Sequence, residues 1–289
     1  MASKKLDTRA IGLDTALALS RWLTGKEHLH YGLWTGIDVA AGNVGRAQDA
    51  YSARLFALFP QRPNLRILDI GGGSGETAKK LIALGHTVEI VIPSAYLAAR
   101  CRVNAPQAVV HECRFEDLQS VGGFDLCLFS ESFQYIPLNV SLSKARALLA
   151  PGGEIVIGDC FRSDAFRPDA VYSKAGGGHS LAAFRAALAT EPLLLIAEED
   201  ITEAVAPSID LEQQLFNVLG TGVQGFEREL AAKQPWRHWG IMAVLRLVVS
   251  ARKRARLAQR LFETERSSAG FIHNNRYLLI KLAQVAAKT

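Results

Sequence analysis

From residue 66 onward, short apolar runs alternate with amphipathic ones. The runs at 66–70, 87–92, 108–112, 124–130, 153–159 and 193–198 have the length and β-branched content of strands. Between them, 76–84, 95–104, 138–149 and 180–190 repeat apolar positions at helical spacing. This alternation predicts a parallel sheet with helices on both faces. Pro151, Gly152 and Gly153 read as the turn into the fifth strand. Residues 12–60 read as helical. Leu13, Ala16, Leu17 and Trp22 share one apolar stripe; Tyr51, Leu55, Leu58 and Phe59 share another, stopped by Pro60 and Pro63. After Thr202 the alternation ends. Residues 203–268 read as helices broken at Pro207 and Pro235, and 276–282 as a last strand. The pattern divides the chain into an N-terminal helical cap (1–60), an α/β core (61–202), a helical insertion (203–270) and a segment that completes the core (271–289).

Composition narrows this picture. At 289 residues and 49% apolar, the chain can bury a sizeable core in one large domain or two small ones. Its four cysteines, Cys101, Cys113, Cys127 and Cys160, form no CxxC pair, so neither a zinc site nor a disulfide framework is indicated. Reduced thiols in a cytoplasmic protein are the simplest expectation. The charged N-terminus has no apolar stretch of the kind a signal peptide needs. The most hydrophobic stretch, 241–249, is too short to span a bilayer and contains Arg246. The net charge of +5 is concentrated at Arg252, Lys253, Arg254, Arg256 and Arg260. That cluster reads as a solvated helix face, or as a surface for an acidic substrate, a carrier protein or lipid headgroups. No nucleic-acid-reading motif accompanies it. The histidines show no sequence-local metal motif.

The candidate chemistry begins at residues 66–77, RILDIGGGSGET. An apolar strand leads into Gly71, Gly72, Gly73 and Gly75, and then a helical pattern starts. Glycines there allow positive φ and let a ligand approach the main chain. Glu76 stands where a dinucleotide fingerprint needs a small residue, and it would lie close to a pyrophosphate. The turn therefore suits a nucleoside cofactor without phosphates, which disfavours a nicotinamide dehydrogenase. Here the chain resembles the class I S-adenosylmethionine-dependent methyltransferases, in particular the tocopherol- and sterol-type enzymes acting on small molecules. The resemblance implies a Rossmann-like, doubly wound sheet of seven strands with the last antiparallel. It also implies a helical lid inserted between strands 6 and 7. Asp69, Gly71, Gly73 and Gly75 would then wrap the methionine and ribose portions of S-adenosylmethionine.

Further segments extend the resemblance in the expected order. At the end of the second strand, where the family carries an acid for the ribose, this chain has Ile92. Glu89 should face the other way, because strand side chains alternate. Either Ser94 and main-chain groups take over the ribose, or the strand end is bulged, or cofactor affinity is reduced; a non-carboxylate ribose contact is the expectation. The stretch 113–118, CRFEDL, resembles the adenine-lining segment, which implies Phe115 beside the base and Glu116 or Asp117 near its amine, with Arg114 in the place of the usual Asp. Glu116 and Asp117 read equally well as caps of a short helix. The fourth strand ends at Ser130 and presents Glu131, Ser132 and Gln134, where the family places the methionine end of the cofactor and part of the acceptor site. Asp159 ends the fifth strand as an acceptor-site or capping carboxylate. The stretch 30–34, HYGLW, resembles a segment that closes over the cofactor. Tyr31 is then a cation–π partner for the sulfonium, and His30 a base. The same residues also suit a packed aromatic cluster. His179, after Gly176, Gly177 and Gly178, is a secondary candidate for the acceptor pocket.

Methyl transfer needs a held electrophile, a positioned acceptor and excluded water. A base is required only when the acceptor carries a proton to lose. The expected activity is methyl transfer to oxygen or carbon of a small, partly hydrophobic metabolite, with His30, Glu131 and Asp159 as catalytic candidates. The acceptor, free or carrier-bound, can be acidic; no nucleic-acid partner is expected, and a homodimer is one option for assembly. If lid residues such as Leu215, Phe216, Leu219, Trp236, Trp239, Ile241 and Met242 line a cavity, the acceptor is lipid-like or polyketide-like. Two alternatives are a protein that binds the cofactor for a non-methylating reaction and a non-catalytic binding protein.

Overall fold

A computed structural model describes residues 8–168, 176–262 and 266–285; the charged N-terminal stretch 1–7, and parts of the three later sequence divisions at 169–175, 263–265 and 286–289, lie outside them. Its centre is a seven-stranded sheet: β1 (Arg66–Ile70), β2 (Thr87–Val91), β3 (Val109–His111), β4 (Phe124–Ser130), β5 (Leu149–Arg162), β6 (Leu193–Asp200) and β7 (Asn275–Gln284). The strand order is β3-β2-β1-β4-β5-β7-β6. Neighbours from β3 to β5 run parallel, and β7 is antiparallel to both β5 and β6. The order reverses at β1, and β1 carries the glycine turn at its carboxyl end. This switch point is where open α/β sheets bind ligands.

Both faces of the sheet are covered, as the near-continuous apolar strands require. On one face α1 (Thr8–Thr24), α2 (Val44–Phe56), α3 (Glu76–Ala83) and α4 (Ala95–Asn104) bring Leu17, Tyr51, Leu81 and Cys101 against Ile67, Ile90 and Leu128. On the other, α5 (Leu138–Leu148) and α6 (Leu181–Thr190) bring Leu142 and Phe184 against Leu68, Phe129 and Ile157. Ile67 and Leu68 are both fully buried on opposite faces, the period-two pattern of a central strand.

Three local readings need correction. Pro151, Gly152 and Gly153 fall within the bounds of β5, where the β4–β5 register shifts between Phe124 and Leu126; Gly152 supplies the positive φ of 74°. Trp22 is not part of a buried stripe but 81% exposed. The inserted segment forms α7 (Thr202–Val205), α8 (Pro207–Lys233), α9 (Pro235–Val248), α10 (Ala251–Phe262) and α11 (Ser268–Asn274). Pro207 and Pro235 open helices there, where a missing N–H is harmless. Phe216 lies beneath the Arg260 guanidinium at 4.0 Å, but Leu219, Trp236, Trp239 and Ile241 are exposed rather than lid core.

Candidate active site

The glycine turn folds on itself through short main-chain bonds. The N–H of Gly71 donates to Val91 O (2.8 Å), that of Gly73 to Gly71 O (2.7 Å), and that of Gly75 to Gly72 O (2.9 Å). Gly71, Gly73 and Gly75 all have positive φ, 77°, 57° and 89°. Their reasons differ. A Cβ at Gly71 would collide with Ser132, and one at Gly75 would lie 2.9 Å from Cys101 Cα. A Cβ at Gly73 would meet nothing within 4 Å. Gly71 and Gly75 thus permit close packing of the protein itself, while Gly73 faces open space. Asp69 beneath the turn is 1% exposed, and its Oδ2 has no partner. Burial pushes its carboxyl up to about 7.

The N-terminal segment is fastened onto this turn by contacts that no local signal announces. Ser74 Oγ donates to Glu27 O at 2.7 Å. The buried Glu27 carboxylate accepts from Arg100 at 2.7 and 2.9 Å, from Asn104 at 2.9 Å and from Arg21. The chain then leads through His28 and His30 to Tyr31. His30 Nδ1 lies 2.8 Å from Tyr31 O and so carries the hydrogen, which leaves Nε2 to accept from His28 Nδ1 at 3.1 Å. Burial lowers His28 to about 2 and His30 to about 4, so both are neutral near pH 7. His30 also lies against Tyr51, with ring centroids 4.6 Å apart. With both nitrogens engaged, it positions the segment and is not a free base.

Glu131 occupies the opposite wall. It follows β4 in the left-handed region at φ 54°, a conformation costing a non-glycine residue roughly 1–2 kcal/mol. Its N–H donates to Gly158 O at 2.8 Å. Its Oε1 accepts from the Tyr31 N–H at 2.9 Å and from the Tyr277 hydroxyl at 2.8 Å, and the Tyr277 and Tyr51 hydroxyl oxygens lie 2.8 Å apart. Oε2 has no protein partner among the described residues. Burial raises this carboxyl to about 8. The Tyr31 ring sits edge-on to Phe271 at 6.0 Å and tilted to Tyr277 at 6.2 Å. The HYGLW segment is therefore an aromatic cluster that also grips Glu131.

Other candidates are placed differently. Asp159 is fully buried; it accepts from the Gln134 N–H (3.0 Å), the Gln134 Nε2 (2.9 Å) and the Cys160 N–H (2.7 Å). It ties the turn after β4 to β5, and its oxygens are already used; burial raises it to about 7. Phe115 packs into the core edge-on to Phe129 at 5.8 Å. Glu116 lies in a single 3-10 turn, Phe115–Asp117, whose position is held by Lys144 donating to Glu116 O at 2.7 Å. Glu89 points away from the crevice, to Arg66 (2.7 Å) and His111 (2.8 Å). Ile92 is buried, and Ser94 caps α4 by accepting from the Leu97 N–H at 3.3 Å. Ser130 ends β4 beside Tyr51. His179 Nε2 lies 2.9 Å from Ile136 O and 3.2 Å from Phe133 O, a structural tie. A cavity of about 900 Å³ opens beyond β6 and β7, lined by Trp34, Thr202, Pro207 and Arg276 among others; the HYGLW segment reaches it through Leu33 and Trp34, while His30, Tyr31, Glu131 and Asp159 do not line it.

A family model described as a methyltransferase domain matches residues 44–241. The 27-O-demethylrifamycin SV methyltransferase of Amycolatopsis mediterranei (strain S699) is 30% identical over 161 residues, 51% of this chain and 56% of that protein. The match thus spans little more than half the length of that relative. Among solved structures, geranyl diphosphate C-methyltransferase from Streptomyces coelicolor A3(2), in complex with S-adenosyl-L-homocysteine, superposes with a TM-score of 0.63 at 18% identity, covering 93% of this chain and 92% of that one. The [4+2]-cyclase SpnF superposes with a TM-score of 0.66 at 13% identity, covering 96% and 95%. At these identities the two structures share the fold alone.

Proposed function

The chain belongs to the methyltransferase-domain family, and from that premise we propose that it methylates an oxygen or carbon atom of a small, partly hydrophobic metabolite of natural-product type. It is a class I enzyme whose cofactor is S-adenosylmethionine. The observation that carries the reading is the glycine turn: Gly73 has positive φ, no Cβ and open space where a Cβ would point, and Gly72 lies close over the buried Asp69 carboxyl, whose Oδ2 has no partner. These residues fit an uncharged nucleoside with a sulfonium tail. Ile92 and Arg114 remove two polar contacts seen in the wider family, so main-chain groups of the turn carry more of the binding.

When bound, the cofactor supplies an electrophilic methyl group. The main chain at Gly71, Gly72 and Gly73 forms the floor. The Tyr31 ring stands at the wall where an aromatic face stabilises a cation by about 0.5–2 kcal/mol. Glu131 presents Oε2, and its orientation is set by the two donors on Oε1. Once deprotonated, above about 8, it accepts the proton of a hydroxyl acceptor. The rifamycin relative, named for an O-demethylated substrate, supports oxygen as the acceptor atom and a natural product as the substrate class.

Calorimetry with S-adenosylmethionine and S-adenosylhomocysteine tests the first half. Micromolar binding is expected, and no heat below millimolar concentration would refute it. Incubation with hydroxylated polyketides and prenyl compounds tests the second half, read as S-adenosylhomocysteine released per product formed. The cyclase neighbour shows that this fold does not by itself dictate the reaction. Turnover without released S-adenosylhomocysteine would replace methyl transfer with another chemistry.

A further inference from the structure

Helices α9 and α10 have a surface that the core does not explain. On α9, Trp236, Trp239, Leu247 and Val248 are 70, 75, 86 and 77% exposed, and Ile241, Val244 and Leu245 are exposed too. At 100° per residue these positions cover roughly two thirds of the helix circumference. A helix that is apolar nearly all round is normally buried. Here only α8 lies against it closely. The neighbouring α8 adds exposed Val218, Val223 and Phe226.

The charge is equally one-sided. Residues 230–262 hold eight Lys and Arg and no Asp or Glu, so the rest of the chain is net acidic. Arg254 turns inward to the carbonyls of Arg246 and Val249, and Arg260 to Glu212. Arg237, Arg246, Arg252, Lys253 and Arg256 are exposed, and none forms an ion pair among the described residues. Elsewhere arginines are matched, as in Arg54–Glu199, Arg66–Glu89 and Arg185–Glu198.

We propose that α9 and α10 form a peripheral docking surface for an anionic lipid bilayer, with Trp236, Trp239, Leu247 and Val248 entering the interface and Arg252, Lys253 and Arg256 meeting the headgroups. Tryptophan next to unpaired arginine on exposed helices is the composition that interfacial binding selects. A second copy of the chain fits poorly. A two-fold contact brings the same patch against itself and would oppose two sets of unpaired cations. A single protein groove would cover one side of α9, whereas a lipid phase accepts apolar side chains on every side. No helix among the described residues is long and apolar enough to cross a membrane, so the contact lies in the plane of the surface.

Co-sedimentation of the full chain with phosphatidylcholine vesicles, with and without phosphatidylglycerol, tests this. Binding to the anionic vesicles, with a blue shift of tryptophan emission and weakening in high salt, is expected. The triple variant Arg252→Glu, Lys253→Glu, Arg256→Glu should bind at least about tenfold more weakly. The double variant Trp236→Ala, Trp239→Ala should lose both binding and blue shift while its circular dichroism and melting temperature stay those of the parent. Equal binding to neutral vesicles would overturn the headgroup role. No binding to either vesicle would overturn the proposal, and self-association seen by light scattering would then assign the patch to a second copy.

Discussion

Two regions of this molecule treat charge and apolar surface in opposite ways. Around the glycine turn, Glu27 is surrounded by Arg21, Arg100 and Asn104, Glu131 by two donors, and Asp159 by three. The aromatic rings there touch one another. On α9 and α10 the tryptophans face outward, and Arg246, Arg252, Lys253 and Arg256 form no ion pair among the described residues. The first region is nearly complete within the chain: Gly73 faces open space, and Asp69 Oδ2, Glu131 Oε2, His28 Nε2 and Gln48 Oε1 have no partner among the described residues. The gaps at the turn and at Glu131 are where the proposed ligand belongs. The second region is incomplete over its whole surface, which marks an extended partner. The difference shows that small exceptions inside a satisfied region locate a site, and broad dissatisfaction locates an interface.

The largest way to break the comparison is to undo the satisfied region. Glu27→Ala leaves Arg100 and Asn104 facing an empty, mostly buried position. A loss of about 3–5 kcal/mol in urea unfolding is expected. Phe133→Ala, in the ring cluster with Phe129, Phe161 and Phe184, should cost a similar amount, about 3–5 kcal/mol. If either costs less than a surface substitution does, the region is not held as described.

Next comes Gly73→Arg. The side chain enters open space, so the fold should survive with roughly 1 kcal/mol of left-handed strain. Cofactor affinity by calorimetry should fall by about a hundredfold or more, equal to about 2.7 kcal/mol. Unchanged affinity would move the site away from the turn.

Glu131→Gln keeps the Oε1 acceptor for Tyr31 and Tyr277 but removes the base. A fall in kcat of about a hundredfold with KM nearly constant is expected. A general base works deprotonated, so the parent rate should rise as pH increases through about 8. The Gln variant should lack that rise. A persisting rise would assign it to another group.

The smallest effect sharpens the contrast from the other side. Trp239→Ala removes a large apolar side chain that is three-quarters exposed. The change in stability should stay within about 0.5 kcal/mol, against several for Phe133→Ala. Aromatic mass alone would predict the reverse order.

The sheet, its order of elements and the glycine turn after β1 were legible in the sequence. They rest on local signals: period two, period 3.6, and glycines where only positive φ will serve. The lengths of β1, α4 and β4 follow directly from that pattern. Tertiary structure decided which candidates face the crevice. His30 became a positioning residue because Tyr31 O and His28 occupy its nitrogens. Asp159 was consumed by Gln134, Phe115 turned into the core, and the lid tryptophans turned out of it. Glu27, Arg100 and Tyr277 came into play through contacts 73 to 146 residues apart in the chain. Local pattern encodes the conformation of a segment because its own neighbours bias it. Which atom a side chain touches depends on segments brought together by folding, and no short window of sequence contains them.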